Sequence, residues 1–388
     1  MLVIWLVCAF LCLIGFIPRP KVAFAVGNKP ITFKPLFGAG MFFLVVILMT
    51  ANNKGYDADA YERFFNVVKA TGVNPYDYTY EALYKLEQLF LRFFRNLTYQ
   101  YFHALVLFIT GALCIYPFLK KYSYDSIAFF SLYVLSGVFA SDGMQFKNFI
   151  AVCFLILALY FYCDSDNNRN SIFFYYAFLT IAILFHFSFA LYVFIPLTKM
   201  KWFERVRMFL PVWGGVLYIL FLFGGNIISG IITFISKIRF LSKAAGYAIS
   251  RAGIRSIVPV MIYYIILFTL YYCRKRIKYV QNNEFSVDEK TRNELAVKIR
   301  SIWELMGIFL VILGFANATY RLFRNLYIPV FTVVINAVLT IENRNRRIIG
   351  IMMTIMMAFI IFIYPIRLGS YVDIYLPILE GEWFWNTQ

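Results

Sequence analysis

The sequence has few charged residues and almost no histidine. Charged side chains make up 15% of the 388 residues, and there are 2 histidines, whereas soluble proteins are about 25% charged. The 6 cysteines have neither the spacing of a metal site nor that of a disulfide framework, so we expect neither. The sequence also lacks a glycine-rich phosphate loop and a nucleophile elbow. These absences exclude a soluble enzyme of the common types and a disulfide-stabilised secreted protein.

Apolar and aromatic residues are abundant instead. Hydrophobic residues make up 62% of the chain and aromatic residues 20%, and the mean hydropathy is +0.71. A soluble globule of this size has too little interior to bury that much apolar surface. The net charge of +17 does not indicate nucleic-acid binding, because the basic residues form short clusters between apolar runs. The composition predicts an integral membrane protein that crosses the bilayer many times.

The apolar runs predict an all-α polytopic membrane protein. A helix needs about 20 mainly apolar residues to cross the hydrocarbon. About twelve runs approach that length, and we expect them to form a single integral membrane domain over residues 1–388. The runs are 2–17, 35–51, 101–119, 125–140, 146–163, 171–186, 187–198, 208–225, 256–273, 302–317, 322–341 and 348–366.

The basic clusters predict the orientation of these helices. Lysine and arginine favour cytoplasmic connections, and this rule places the N-terminus and the C-terminus outside. Residues 274–300 then form a charged cytoplasmic loop, and residues 52–100 form an external loop with an amphipathic helix near 80–95. One external segment, 226–255, is basic and has no acidic residue. It either contradicts the orientation or marks a site that needs positive charge, and we favour the second interpretation.

Polar residues cluster at the predicted outer helix ends. Such groups are costly near a membrane, so they are hypotheses for a functional site. Each also has an ordinary structural explanation, such as arginine side chains that reach the interface. Because they fall on one predicted face from distant parts of the sequence, we expect them to converge in an active site. They include Asp57, Asp59, Tyr61, His103, Asp142, Gln145, Lys147, His186, Arg321, Arg324 and Tyr327.

Several of these segments carry a family resemblance. The segments are 57–61, Glu81 with Tyr84, 141–151, 185–188 and 320–327. In order and spacing they resemble the EpsG family of bacterial exopolysaccharide membrane proteins, which are relatives of the Wzy-type repeat-unit polymerases. The family pattern usually has an arginine shortly before the Ile-Ala pair, where this chain has Lys147. Lysine keeps the positive charge but loses the bidentate fork of arginine.

The resemblance implies a membrane glycosyltransferase with a GT-C type of fold. The substrate would be an oligosaccharide repeat unit linked to undecaprenyl diphosphate. The enzyme would transfer the growing chain from its lipid carrier onto a new unit at the outer face of the bacterial inner membrane. We expect a multi-pass protein with no cofactor and no metal ion. Besides membrane lipids, a copolymerase that regulates chain length is a candidate partner, and nucleic acid is not.

This chemistry suggests roles for the candidate residues. A diphosphate leaving group needs fixed cations, and the acceptor hydroxyl needs a general base. Aromatic rings and polar side chains suit sugar binding. Candidate bases, in order of preference, are Asp57, Asp59 and His186. Candidate diphosphate ligands are Lys147, Arg321, Arg324, Arg251 and Arg255, and candidate sugar contacts are Tyr61, Glu81, Tyr84, Gln145 and Tyr327.

Two other functions remain open from the sequence. A flippase or transporter of lipid-linked oligosaccharide would place its basic groups along a passage through the bilayer. The predicted charges stay at one face, which favours the polymerase. A glycan ligase or acyltransferase would use a similar outer site with a different acceptor.

Overall fold

The structure is a computed structural model of the 388-residue chain. It describes residues 23–26, 29–32, 34–51, 56–75, 80–164, 169–223, 257–280, 287–313, 320–341 and 343–365. Its residues form two compact units, which are described separately. The first unit comprises Met1–Val193, Glu284–Arg292 and Phe331–Gln388, and the second comprises Phe194–Asn283 and Asn293–Val330.

The first unit contains a short hairpin and most of the helices. Strands β1 and β2 pair antiparallel, with Ala23 opposite Thr32. The helical elements follow the apolar pattern, apart from two more polar helices, α2 and α3. In chain order the unit has β1 (Ala23–Val26), β2 (Lys29–Thr32), α1 (Lys34–Ala51), α2 (Tyr56–Thr71), α3 (Glu81–Phe93), α4 (Tyr99–Thr110), a π-helical turn (Gly111–Ile115), α5 (Tyr116–Tyr122), α6 (Ser126–Leu135), α7 (Val138–Met144), α8 (Phe146–Asp164) and α9 (Arg169–Phe185).

The remaining helices belong to the second unit or continue the chain between the units, except the last, Arg344–Pro365, which belongs to the first unit. A 3-10 helix, Phe187–Lys199, follows α9. The helices after it are α10 (Lys201–Val206), α11 (Phe209–Phe223), α12 (Ile257–Val280), α13 (Val287–Met306), a 3-10 turn (Gly307–Phe309), α14 (Leu310–Leu313), α15 (Arg321–Arg324), α16 (Tyr327–Leu339) and α17 (Arg344–Pro365).

Three described helices are long and apolar enough to cross a membrane. They are Tyr99–Tyr122, which joins α4 to α5 through the π-helical turn, Phe146–Asp164 and Arg344–Tyr364. A fourth candidate is the pair α6 and α7, which is bent by 75°. Gly137 lies at this bend with a φ of 69°, a conformation that side chains with a Cβ rarely adopt. Apart from the short hairpin, the regular structure of the described chain is helical, and this apolar architecture is that of a membrane protein. The number of spans predicted from the sequence stays a prediction.

Besides the bend at Gly137, the helices differ from the sequence expectation in three places. Residues 56–71, expected as part of a loop, form α2. The expected loop 274–300 is largely helical, because α12 continues to Val280 and α13 begins at Val287. The weakest run, 187–198, is a 3-10 helix containing Pro196, whose missing N–H disfavours an α-helix. Residues 2–17 and 226–255 lie outside the described residues.

Close contact between α7 and α1 fixes the position of the chain just before α8. A Cβ added at Gly143 would overlap the backbone carbonyl of Met49. Glycine therefore allows the backbones of α7 and α1 to meet. At the preceding residue of the same helix, the Tyr133 hydroxyl donates a 2.5 Å hydrogen bond to the Asp142 carboxylate. These two contacts hold the α7–α8 junction in the first unit.

Candidate functional site

Lys147 carries a positive charge into a largely buried position at the start of α8. Its side chain is 8% exposed. The ammonium group lies 3.3 Å from the centre of the Tyr80 ring. The negative face of an aromatic ring attracts a cation, more strongly where water is excluded. Tyr80, which immediately precedes α3, therefore gives the ammonium group of Lys147 an aromatic partner within the protein.

Tyr61 joins this cation to a group of aromatic rings. Its ring centre lies 6.3 Å from that of Tyr80 and 6.2 Å from that of Phe146. These are distances at which aromatic rings attract one another. We refer to Tyr61, Tyr80, Phe146 and Lys147 as the aromatic cation site. It brings together residues from the polar helix α2, the start of α3 and the start of α8.

The two aspartates lie in the first turn of α2, where their charge is favourable to the helix dipole. Asp57 is four residues before Tyr61, so the two side chains share a helix face. It is half-buried, whereas Asp59 is exposed. Asp57 is also close enough to interact electrostatically with the Tyr99 hydroxyl of α4. Of the two aspartates, Asp57 therefore has the better position relative to the aromatic cation site.

Gln145 links α7 to α8 and is buried. Its backbone carbonyl accepts a 2.9 Å hydrogen bond from the N–H of Phe149, which caps the first turn of α8. Gln145 is two residues before Lys147 in the segment that the Gly143 and Asp142 contacts hold. The structure thus places Gln145, Lys147 and Tyr61 in one region of the first unit.

Glu81 and Tyr84 fasten α3 to the end of α2. The Asn74 amide donates a 3.0 Å hydrogen bond to Glu81, which also forms an exposed ion pair with Lys85. The Tyr84 hydroxyl donates to the Gly72 carbonyl at 3.0 Å and accepts from Gln88 at 2.5 Å. Both residues have structural partners on α3 and in the segment that follows α2, and sugar binding by either stays a prediction.

His186 lies between α9 and the 3-10 helix. Its Nδ1 is 2.7 Å from the Ser188 hydroxyl, and its ring meets Phe189 edge-on at 5.9 Å. This contact is local to the turn, and the half-buried ring belongs to the first unit. A catalytic role for His186 stays a prediction.

Arg321, Arg324 and Tyr327 lie in the second unit. Arg324 is 4% exposed, and its guanidinium donates a 3.1 Å hydrogen bond to the Tyr320 hydroxyl. Nε of Arg321 is buried and has no hydrogen-bond partner among the described residues. Tyr327 packs near Trp303, with ring centres 6.4 Å apart. The second unit therefore has a local pair of arginines, one of them deeply buried.

Two predicted diphosphate ligands, Arg251 and Arg255, lie outside the described residues. Within the described ranges, no group of three or more histidine, cysteine, aspartate or glutamate side chains is arranged to hold a metal ion.

Sequence reasoning missed two members of the site. Tyr80 has no local signal, because its contact with Lys147 depends on how α3 packs against α8. Phe146 belongs to the segment 141–151, whose polar residues carry the sequence signal.

The sequence predicts His103 as a polar residue at a helix end but gives it no role. Its ring lies 4.6 Å from that of Phe146, so it borders the aromatic cation site.

Together, the apolar helices and the buried cation beside aromatic rings define a helical membrane protein with a polar site in its first unit. Comparison with known families goes one step further. The model of the EpsG family matches residues 37–376, so the chain belongs to the EpsG family. This membership associates it with glycosyltransferase-like polymerases of exopolysaccharide production. No significant match was found among curated proteins or solved structures.

Proposed function

We propose that this protein polymerises a surface polysaccharide from oligosaccharide units linked to undecaprenyl diphosphate. The observation that carries the proposal is the buried Lys147 cation on the ring of Tyr80, which in turn neighbours the ring of Tyr61, in a chain of the EpsG family. A cation suits the diphosphate and aromatic faces suit sugar rings. The proposed location is the outer face of the bacterial inner membrane.

The proposed reaction is a displacement at the anomeric carbon of the donor sugar. The acceptor hydroxyl oxygen forms the new glycosidic bond, and the bond between the anomeric carbon and the diphosphate oxygen breaks. The hydroxyl proton passes to a carboxylate, for which Asp57 is preferred over Asp59 because it shares a helix face with Tyr61. Undecaprenyl diphosphate leaves with the bonding electrons.

Fixed cations would stabilise the charge that develops on the diphosphate. Lys147 supplies one in the first unit. Arg321 and Arg324 stay predictions from the sequence for this role, and Arg324 is buried with its guanidinium hydrogen-bonded to the Tyr320 hydroxyl. Removing one charge-assisted contact costs about 1.5–3 kcal/mol. The proposal needs no metal ion, and its partners are the lipid-linked oligosaccharide, membrane lipids and a copolymerase.

The test compares the lipid-linked sugars of cells that have and lack this chain. Loss of a polymerase should leave single repeat units on the outer leaflet with no long polymer. We expect Arg324→Ala to give the same result. Accumulation on the inner leaflet instead would identify a flippase. A control is Arg92→Ala, because Arg92 is exposed on α3 and has no proposed role. Normal polymer in cells without the chain contradicts the proposed function.

A further inference from the structure

His103 is a buried polar side chain with no assigned role. It lies in α4 and is 5% exposed. Its ring stacks on that of Tyr99, with centres 5.6 Å apart, and meets the Phe146 ring edge-on at 4.6 Å. An imidazole buried among aromatic rings loses hydration at both nitrogens, so its polar contacts decide whether it is tolerated.

One ring nitrogen of His103 contacts the α7–α8 junction. The imidazole makes a hydrogen bond with the backbone of Gly143. Nε2 has no hydrogen-bond partner within the described part of the chain, so the bond to Gly143 is made through Nδ1. Gly143 is also the residue whose backbone packs on Met49. It is therefore restrained by α1 on one side and by His103 of α4 on the other.

The two contacts of His103 flank Gln145. Gly143 precedes Gln145 and Phe146 follows it, and Lys147 is the next residue after Phe146. A single side chain thus contacts the last turn of α7 and the first turn of α8. The direction in which Lys147 leaves α8 depends on how these two turns are held.

We propose that His103 is a positioning residue for Lys147. By holding Gly143 and Phe146 together, it fixes the α7–α8 junction so that the ammonium group stays beside Tyr80. Because its Nε2 is buried, His103 does not contact the substrate itself, and it acts through Lys147. The inference deepens the proposed function and rests on it for the link to diphosphate binding, whereas the positioning itself has a test that needs no substrate.

The first experiment measures the accessibility of position 147 in the full chain. Lys147→Cys is labelled with a water-soluble maleimide, and the parent chain with its native cysteines serves as the blank. Adding His103→Phe, which keeps a ring but loses the hydrogen bond to Gly143, should raise the labelling rate at least about fivefold. His103→Asn keeps an N–H donor, so the labelling rate should fall back towards that of Lys147→Cys alone. A reporter on the exposed face of α3, Lys85→Cys, should label equally in all backgrounds.

Equal labelling at position 147 with and without His103→Phe would overturn the inference. If His103→Phe does not yield folded protein, Phe146→Leu takes its place. It removes the contact between the Phe146 and His103 rings, and the labelling rate at position 147 is compared with and without it. A rate that rises with Phe146→Leu supports positioning, and an unchanged rate contradicts it.

The second experiment links positioning to activity. The probe is the lipid-linked oligosaccharide extracted from cells that lack this chain, added to membranes that contain it. His103→Phe should raise KM for this probe about tenfold and change kcat less than twofold. In a Lys147→Met background it should add no further loss, because the residue it positions is gone. If the losses of activity from His103→Phe and Lys147→Met multiply in the double variant, the inference is overturned.

The two experiments separate the inference from the proposed function. If parent membranes make no polymer from the extracted probe, the proposed function fails. A change in labelling would then still establish His103 as a positioning residue for the α7–α8 junction. If parent membranes polymerise the probe and labelling is unchanged, the proposed function stands and the inference fails.

Discussion

The ammonium group of Lys147 lies 3.3 Å from the centre of the Tyr80 ring. The contact joins the start of α8 to the start of α3, two helices of very different composition. It explains how a lysine that is 8% exposed remains compatible with the fold, because an aromatic face replaces part of the lost hydration. A diphosphate that reached this lysine would replace a weak partner with a strong one.

Replacing Lys147 tests the need for its charge. Lys147→Met keeps an unbranched side chain that packs well on aromatic rings but removes the cation. We expect polymer synthesis to fall about tenfold to a hundredfold, since a contact to a charged group contributes about 1.5–3 kcal/mol. Lys147→Arg should retain most activity. The measurement is the amount of long polymer per cell at equal protein level, and equal polymer in both variants would remove Lys147 from the site.

Tyr80 is expected to matter through its ring and not through its hydroxyl. Tyr80→Leu removes the face beneath Lys147, and we expect it to lower the free energy of unfolding by about 0.5–2 kcal/mol and to weaken polymer synthesis. Tyr80→Phe keeps the ring and should be near normal. Thermal unfolding in detergent and polymer yield are the measurements. A Tyr80→Phe protein as impaired as Tyr80→Leu would assign the effect to the hydroxyl.

Asp57 and Asp59 make a matched pair for identifying the general base. Asp57→Asn should abolish chain extension while protein level and helix content stay normal, because an amide cannot accept the hydroxyl proton. Asp59→Asn, an exposed position on the same helical turn, should lose less than about tenfold. Both are measured by polymer length on gels. Near-normal polymer from Asp57→Asn would exclude that residue and make His186→Gln the next variant to test.

Gly143 allows a test of the packing that holds the α7–α8 junction. Gly143→Ala places a methyl group against the Met49 carbonyl, and such overpacking costs about 1–3 kcal/mol. We expect a lower unfolding temperature and reduced polymer. Gly40→Ala is the control, because a Cβ there meets nothing within 4 Å and alanine favours a helix by about 0.5–1 kcal/mol. Equal unfolding temperatures for the two variants would contradict this account of the junction.

The apolar pattern was sufficient to predict most helices of the described chain. The run 35–51 is α1 to within one residue, and 146–163 is α8, because nothing competes with a helix in a long apolar segment. The polar helix α2 was missed because charged residues interrupt its apolar positions, so it contains no long apolar run, although Ala58, Tyr61, Phe65 and Val68 recur at helical spacing. The bend at Gly137 was missed as well, since the apolar run continues through it and the left-handed conformation of that glycine depends on packing.

The sequence predicts candidate site residues from polar groups at helix ends. Tyr61, Gln145 and Lys147 were predicted in this way, and the structure brings them into one region, while their roles stay predictions. Tyr80 could not be found, because its role depends on a contact between α3 and α8 that no local pattern encodes. The same holds for His103, whose importance comes from contacts with Gly143 and Phe146, both distant in sequence.

The π-helical turn Gly111–Ile115 has a consequence for the long helix that contains His103. Such a turn holds one residue more than the regular α-helical repeat requires. In a regular α-helix each residue advances the direction of the side chains by about 100°, and the wider turn takes up the extra residue. Deleting one residue inside the turn would therefore restore regular winding and leave His103 and Lys120 close to their present directions. The same deletion elsewhere in the helix would rotate its two ends against each other by about that angle, so the turn is the place where a change of length is tolerated.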